Sequence, residues 1–261
     1  MILDRIAADT KIRVEKTKRK VPFSEIRRQE MEMSPNTGFP FEECLEQPGI
    51  HYICELKKAS PSKGVIAEDF PYLEIAKEYE RAKASAISCL TEPKYFQGKN
   101  EYLEEIAKEV SIPVLRKDFT IDEYMIYEAK VLGADAVLLI CTLLDTETLK
   151  RYLNICNRLG LSALVEAHDE EEMQSAITAG ARVIGVNNRN LKDFTVDINN
   201  SIRLRNLAPK EVLFVAESGI KTPDDIEALR RAGMNGVLMG ETLMRSTDKK
   251  AILEKLNGGT L

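Results

Sequence analysis

The chain has 261 residues, enough for two small domains or one α/β barrel, and its 44% apolar and 30% charged residues are those of an ordinary soluble globular protein. A net charge of −5 with no long block of one sign argues against a nucleic-acid or membrane surface, and no apolar run approaches the ~18 residues of a membrane-spanning helix. Only two histidines (His51, His168) and five scattered cysteines (Cys44, Cys54, Cys89, Cys141, Cys156) occur, with no C-x-x-C pair, so no metal site is expected and the thiols read as free in a reducing cytosol. The first residues carry Asp4 and no small-residue cleavage site, so they do not read as a signal peptide.

In chain order, the pattern predicts helices over about 2–18 and 22–32, then a loop through "SPNTGFP" (34–40). The basic "KTKRK" (16–20) reads as a solvated helix face. Eight short apolar, β-branched runs follow: "HYICEL" (51–56), "AISCLT" (86–91), "IPVLRK" (112–117), "AVLLIC" (136–141), "SALVEA" (162–167), "VIGVN" (183–187), "LFVAES" (213–218) and "GVLMG" (236–240). They are almost continuously apolar, as strands covered on both faces must be. Between them, Tyr72, Ile75, Ala76 and Tyr79, and later Leu149, Tyr152, Leu153 and Cys156, fall at helical spacing. Thr222-Pro223 is an N-cap with proline at the first helical position, and Gly133, Gly160, Gly180 and Gly233 each stand where a helix must stop before the next strand.

Eight strand–helix units predict a (β/α)8 TIM barrel with an extra N-terminal helical segment, as one domain with residues 1–45 as the extension and 46–261 as the barrel. A doubly wound open sheet is the alternative, and no G-x-G-x-x-G follows the first strand to favour it.

In this fold the active site forms where strands end. The first strand ends in Glu55, Lys57 and then Ser60; the second in Thr91 and Glu92; the third in Lys117 and Asp118; the fifth in Glu166; the sixth in Asn187 and Arg189; the seventh in Glu217, Ser218 and Gly219; the eighth in Gly240 and Glu241. Any one of these is most simply a solvated loop charge or a salt bridge. As a set, they place lysines beside carboxylates, which is a means of poising acid and base near neutral pH. Glu55 and Lys57 share a face because strand side chains alternate. The glycines after the last two strands stand at the usual phosphate site of the fold, though turn residues would look the same.

"ICELKKASPSKGVI" (53–66) resembles the signature of the indole-3-glycerol phosphate synthase family, and "MILDRI", "LTEPKYFQG", "VLRKDF", "LVEAHDEEE", "GVNNRNL", "AESGI" and "LMGETLM" look like the family's blocks in the family's order. The resemblance spans essentially the whole chain. It implies a carboxy-lyase of tryptophan biosynthesis, converting 1-(2-carboxyphenylamino)-1-deoxyribulose 5-phosphate to indole-3-glycerol phosphate, CO2 and water without a cofactor. By resemblance, Lys117 is the general acid and Glu166 the general base of dehydration. Lys57 either holds the substrate carboxylate or is a second acid. Glu55 orients the lysines and Asn187 positions the substrate. Ser60, Arg189, Gly219 and Gly240 gather the phosphate, Ser218 lines the same mouth, and Leu90 and Phe96 wall the aryl ring. Where some members carry Ser, this chain has Glu241, whose side chain is expected to point away and leave its backbone N–H to the phosphate.

Three rivals remain at this point: a Schiff-base aldolase with Lys117 or Lys57 as nucleophile, the neighbouring pathway isomerase on a similar barrel, and a non-catalytic metabolite-binding barrel. The isomerase would be shorter and lack the "ELKKASPS" block. The expected partner is a small phosphorylated molecule, with no nucleic acid, no membrane and no fused second enzyme, and the chain is expected to be a cytoplasmic monomer.

Overall fold

The computed structural model describes residues 2–190 and 195–259, so Met1 and Leu191 of the quoted blocks and the last two residues of the expected barrel lie outside the described residues. Eight parallel strands close on themselves: β1 (His51–Leu56), β2 (Ala86–Leu90), β3 (Val114–Lys117), β4 (Ala136–Ile140), β5 (Ser162–Ala167), β6 (Val183–Asn187), β7 (Leu213–Glu217) and β8 (Gly236–Met239). β1 closes the ring by pairing with both neighbours, Ile53 opposite Ala86 and His51 opposite Gly236. This is the (β/α)8 barrel that the repeat predicts. Each strand sits within a residue or two of its run, and β1, β5 and β6 match theirs residue for residue.

Alternation along each strand divides the apolar side chains between two cores. Ile53, Leu115, Leu164, Val183, Val215 and Leu238 pack inside the barrel, while their neighbours Cys54, Val165, Ile184 and Val237 pack outward against the helices. The helices stop where the glycines stand: Gly133, Gly160, Gly180 and Gly233 all have φ between 67° and 88°. Such φ values favour residues without a Cβ. The Thr222 side chain caps its helix (Pro223–Arg231) in a full capping box with Asp225.

Three helices precede the barrel: α1 (Ile2–Lys20), α2 (Phe23–Met31) and α3 (Pro40–Glu46). The third follows the expected loop and was not anticipated. Phe39 enters it at φ 54° and Pro40 occupies its first turn. Its Phe41 and Leu45 are fully buried among the interior residues of the barrel, so α3 closes the end where the strands begin. Two polar links hold it there, Arg182 to Glu42 at 2.6 and 2.8 Å and Asn235 to the Leu45 carbonyl at 3.2 Å.

The first helix reaches the opposite end. Arg13 grips the Asp118 carboxylate with both terminal nitrogens at 2.9 and 2.7 Å, Lys18 reaches Asp122 at 2.6 Å, and Asp9 accepts from Lys94 and Tyr95. Leu3 and Ile6 are thereby buried against the mouth. Among the described residues, no helix is long and apolar enough to cross a membrane.

Candidate active site

The inward parity that makes the core also makes the site. One step beyond Ile53, Leu115, Leu164 and Val215 on the same face stand Glu55, Lys117, Glu166 and Glu217. These four are polar where the barrel opens, and they line a cavity of about 800 Å³ at the carboxyl ends of the strands.

Lys117 sits at the centre. Its Nζ lies 3.5 Å from Glu166 Oε2 and 3.5 Å from Glu217 Oε2. Burial alone would lower its pKa, but the fields of Glu217, Glu166 and Glu55 outweigh that and hold the ammonium above the ordinary lysine value. Glu166 is burdened by burial too, yet Lys117 and His168 overcome it and keep the carboxylate ionised. Glu217 goes the other way: burial, with the repulsion of Glu166 and Glu55, outweighs Lys117 and pushes it up toward neutrality. The two carboxylates flank one ammonium with opposite tendencies, the pattern of separate acid and base duties. Lys57 pairs with Glu55 at 2.5 Å.

Two glycines make room for this cluster. A Cβ on Gly185 would overlap Glu217 Oε1, and one on Gly240 would come within 2.5 Å of Glu55 Oε1 and 2.9 Å of Lys57 Nζ. The space at Gly240 is thus required by the Glu55–Lys57 pair as well as by any phosphate. At Gly219, φ is 86°, and Ser218 before it is also left-handed at 67°. A non-glycine residue in that region is strained, and such strain gathers at functional sites.

The remaining expected residues meet at the same mouth. Asn187 donates to Glu166 Oε1 at 3.4 Å and accepts from the Arg189 N–H at 3.0 Å. Ser60, Arg189, Ser218, Gly219 and Gly240 line the cavity, together with the cationic Lys63, Lys221 and Arg245, which sequence reasoning did not single out. Glu241 also lines the cavity, and its carboxylate pairs with Arg245 at 3.2 Å, with Lys63 at 3.9 Å. Leu90 and Phe96 form an apolar wall with Phe119, whose ring stands 5.9 Å from that of Phe96, and Ile2, Leu3 and Ile6 of α1 extend it.

Three residues named at strand ends serve the frame instead. Thr91 donates to Asp118 at 2.6 Å, and Asp118 is consumed by Arg13. Glu92 accepts the backbone N–H groups of Lys94, Tyr95 and Phe96, and so fixes the loop that carries Phe96. Two residues without an expected role matter: Glu217, and His168, which lies 3.3 Å from Glu166 Oε1. His168 stands one residue past β5, and only the fold shows that its ring meets Glu166.

A family model described as indole-3-glycerol phosphate synthase matches residues 3–256. The chain belongs to the indole-3-glycerol phosphate synthase family. Relatives bearing that family's name include a protein of Ruminiclostridium cellulolyticum, 61% identical with 99% of each chain covered, and one of Lachnoclostridium phytofermentans, 53% identical with 98% of each covered. Among solved structures, a 3-hexulose-6-phosphate synthase is similar with a TM-score of 0.65 at 17% identity, covering 81% of this chain and all of that one. That likeness extends the fold beyond the indole-3-glycerol phosphate synthase family and says nothing of substrate.

Proposed function

We propose that this chain closes, decarboxylates and dehydrates 1-(2-carboxyphenylamino)-1-deoxyribulose 5-phosphate to indole-3-glycerol phosphate in tryptophan biosynthesis. Membership of the family supports the reaction. The observation that carries the chemistry is the Lys117 ammonium held at 3.5 Å from each of Glu166 and Glu217 inside a mouth with an apolar wall and a cationic rim.

In this reading, Leu90, Phe96 and Phe119 hold the aryl ring while the rim holds the phosphate, so the chain between them bends into a near-attack geometry. Lys117 gives its proton to the carbonyl oxygen as the aryl carbon attacks. Its raised pKa is no obstacle, because the developing alkoxide is a far stronger base than the flanking carboxylates. Glu55 keeps Lys57 in place, and Lys57 meets the substrate carboxylate before it leaves as CO2. Glu166, ionised and oriented by Asn187, removes the ring C–H proton during dehydration. Serine, arginine and glycine at Ser60, Arg189, Ser218, Gly219 and Gly240 take the phosphate, joined by the Glu241 N–H. The binding energy there offsets the cost of bending. The five free thiols support a cytosolic setting.

Purified protein should release CO2 and develop indole fluorescence from this substrate, and failure to do so would reject the reading. The division of labour is tested by Glu166→Gln, which keeps hydrogen bonding but cannot accept the proton. In a single turnover, CO2 should then precede fluorescence. Equal slowing of both signals would leave Glu166 as a partner of Lys117 alone.

A further inference from the structure

The reaction just proposed has an unbalanced proton. Forming the bond from the aryl carbon to the carbonyl carbon delivers one proton to the oxygen. Breaking the bond to the carboxylate returns an electron pair to the ring and releases CO2. Breaking the C–OH bond consumes a second proton, since hydroxide leaves as water. Only one proton comes back, when the ring C–H bond gives its electron pair to the new double bond. An anionic carboxylate has become neutral CO2, so each turnover takes one proton from solution. Lys117, which lines the mouth with 15% of its side chain accessible, must therefore be recharged once in each turnover.

We propose that Glu172 and His168 form a proton path that recharges Lys117 through Glu166 from a second cavity beside the mouth. The groups stand in sequence at contact distance, with the Glu166–His168 step an ion-pair contact and not a formed hydrogen bond. Lys117 Nζ is 3.5 Å from Glu166 Oε2; Glu166 Oε1 is 3.3 Å from His168 Nε2; His168 Nδ1 is 2.9 Å from Glu172 Oε2; and Glu172 Oε1 accepts from the Thr142 hydroxyl at 2.5 Å. The imidazole presents opposite nitrogens to two carboxylates, so it can take a proton on one side and yield one on the other. Simple pairing of a cation needs only one of them.

The path joins two spaces. Glu166 and Lys117 line the mouth, whereas His168, Glu172 and Thr142 line an adjoining cavity of about 570 Å³ with Asn188 and Asn200, which shares Leu3, Asn187 and Arg189 with the mouth. Glu172 is partly exposed there, with 18% of its side chain accessible against 5% for Glu166. The ring is held in register: the His168 N–H donates to Glu172 at 2.8 Å and its carbonyl accepts from Asn200 at 3.0 Å. The charged groups around it are Glu166 from β5, Glu172 from the helix Glu170–Ala179, and Asp169, Asp197 and Arg189 at the walls of the second cavity. Burial opposes a charged imidazole, but the two carboxylates raise its pKa to about 10, so the path rests in its loaded state.

The proposal rests on the reaction above, and the test separates the two. Rapid quench of CO2 in the first turnover is compared with steady-state turnover in wild type, Glu172→Gln and His168→Gln. A site already charged should release its first CO2 within about twofold of wild type, while steady-state turnover falls about tenfold or more. Added imidazole, a small diffusible acid, should restore it. Loss in equal proportion in both phases, no loss in either, or a slow steady state that imidazole does not restore would overturn the path. If His168→Gln fails to fold, Glu172→Gln decides by the same criteria. Absence of CO2 from wild type itself would reject the reaction instead.

Discussion

At one end of the barrel, α3 pushes Phe41 and Leu45 into the space between the strands; at the other, the same strands point Glu55, Lys117, Glu166 and Glu217 into an open cavity. The first end buries apolar volume and gains stability from it. The second crowds three carboxylates around two ammoniums, and Glu217 is pushed toward neutrality as a result. Like charges brought together under burial cost stability, and a protein keeps such an arrangement for what it does. The comparison predicts that damage at the two ends will separate cleanly into lost chemistry and lost folding.

The largest effect should come from Lys117→Ala. If the ammonium protonates the developing alkoxide, kcat falls by roughly 10²–10⁴-fold. Leu115 and Leu164 beneath it are untouched, so the circular dichroism spectrum should stay that of a folded barrel. Activity near wild type would remove Lys117 from the acid's role and blur the contrast between the ends.

Phe41→Ala is the counterpart at the closed end. Phe41 is fully buried, and emptying its site should cost about 3–5 kcal/mol of unfolding free energy by denaturant titration. Well below its lowered Tm, the variant should keep a kcat close to wild type. A large loss of kcat in a folded variant would mean that the plug controls the mouth, and the two ends are not independent.

These two residues also differ in how legible they were. Lys117 could be read because strand parity and the fold's active end fix where a residue at the end of β3 must go. Phe41 could not, because α3 has seven residues, too few for an apolar stripe to repeat, and it follows a turn-rich segment that reads as loop. The same limit divides the site. Glu55 and Glu166 lie on strands, and their direction follows from the alternation. Asp118 stands one residue past its strand, where parity lapses, and only the fold shows that Arg13 from α1 claims it. The place of Glu217 was visible but its environment was not, since that depends on the gap at Gly185, a residue on a different strand.

A smaller effect is expected at the rim. Gly219 has φ 86°, and a Cβ there would overlap Val196 Cγ1. Gly219→Ala should therefore strain the turn by about 1–2 kcal/mol. It should raise KM by roughly tenfold and lower kcat by less, if phosphate binding is felt equally in ground and transition states. The measurement that sharpens this is the affinity of a dephosphorylated analogue, which should be nearly the same in the variant and wild type. An analogue that binds wild type as well as the phosphorylated substrate does would dissolve the phosphate assignment.

The smallest effect should be that of an ion pair at the closed end. Glu42 and Arg182 meet in a two-pronged contact at 2.6 and 2.8 Å, shorter than any contact Lys117 makes. Distance alone would rank it as the stronger pair. Its setting ranks it lower, because 44% of the Arg182 side chain is exposed and water screens the attraction. Glu42→Gln keeps the shape and one accepting oxygen, and Arg182 can turn to solvent while its guanidinium still lies 4.7 Å from the Phe39 ring. Unfolding free energy should drop by less than about 1 kcal/mol, and by less still in high salt. Neither kcat nor KM should move, because α3 remains seated by Phe41 and Leu45. A change in kcat here, at the far end of the barrel from Lys117, would show that charge at the plug is felt at the mouth through the strands, and the separation of the ends would have to be abandoned.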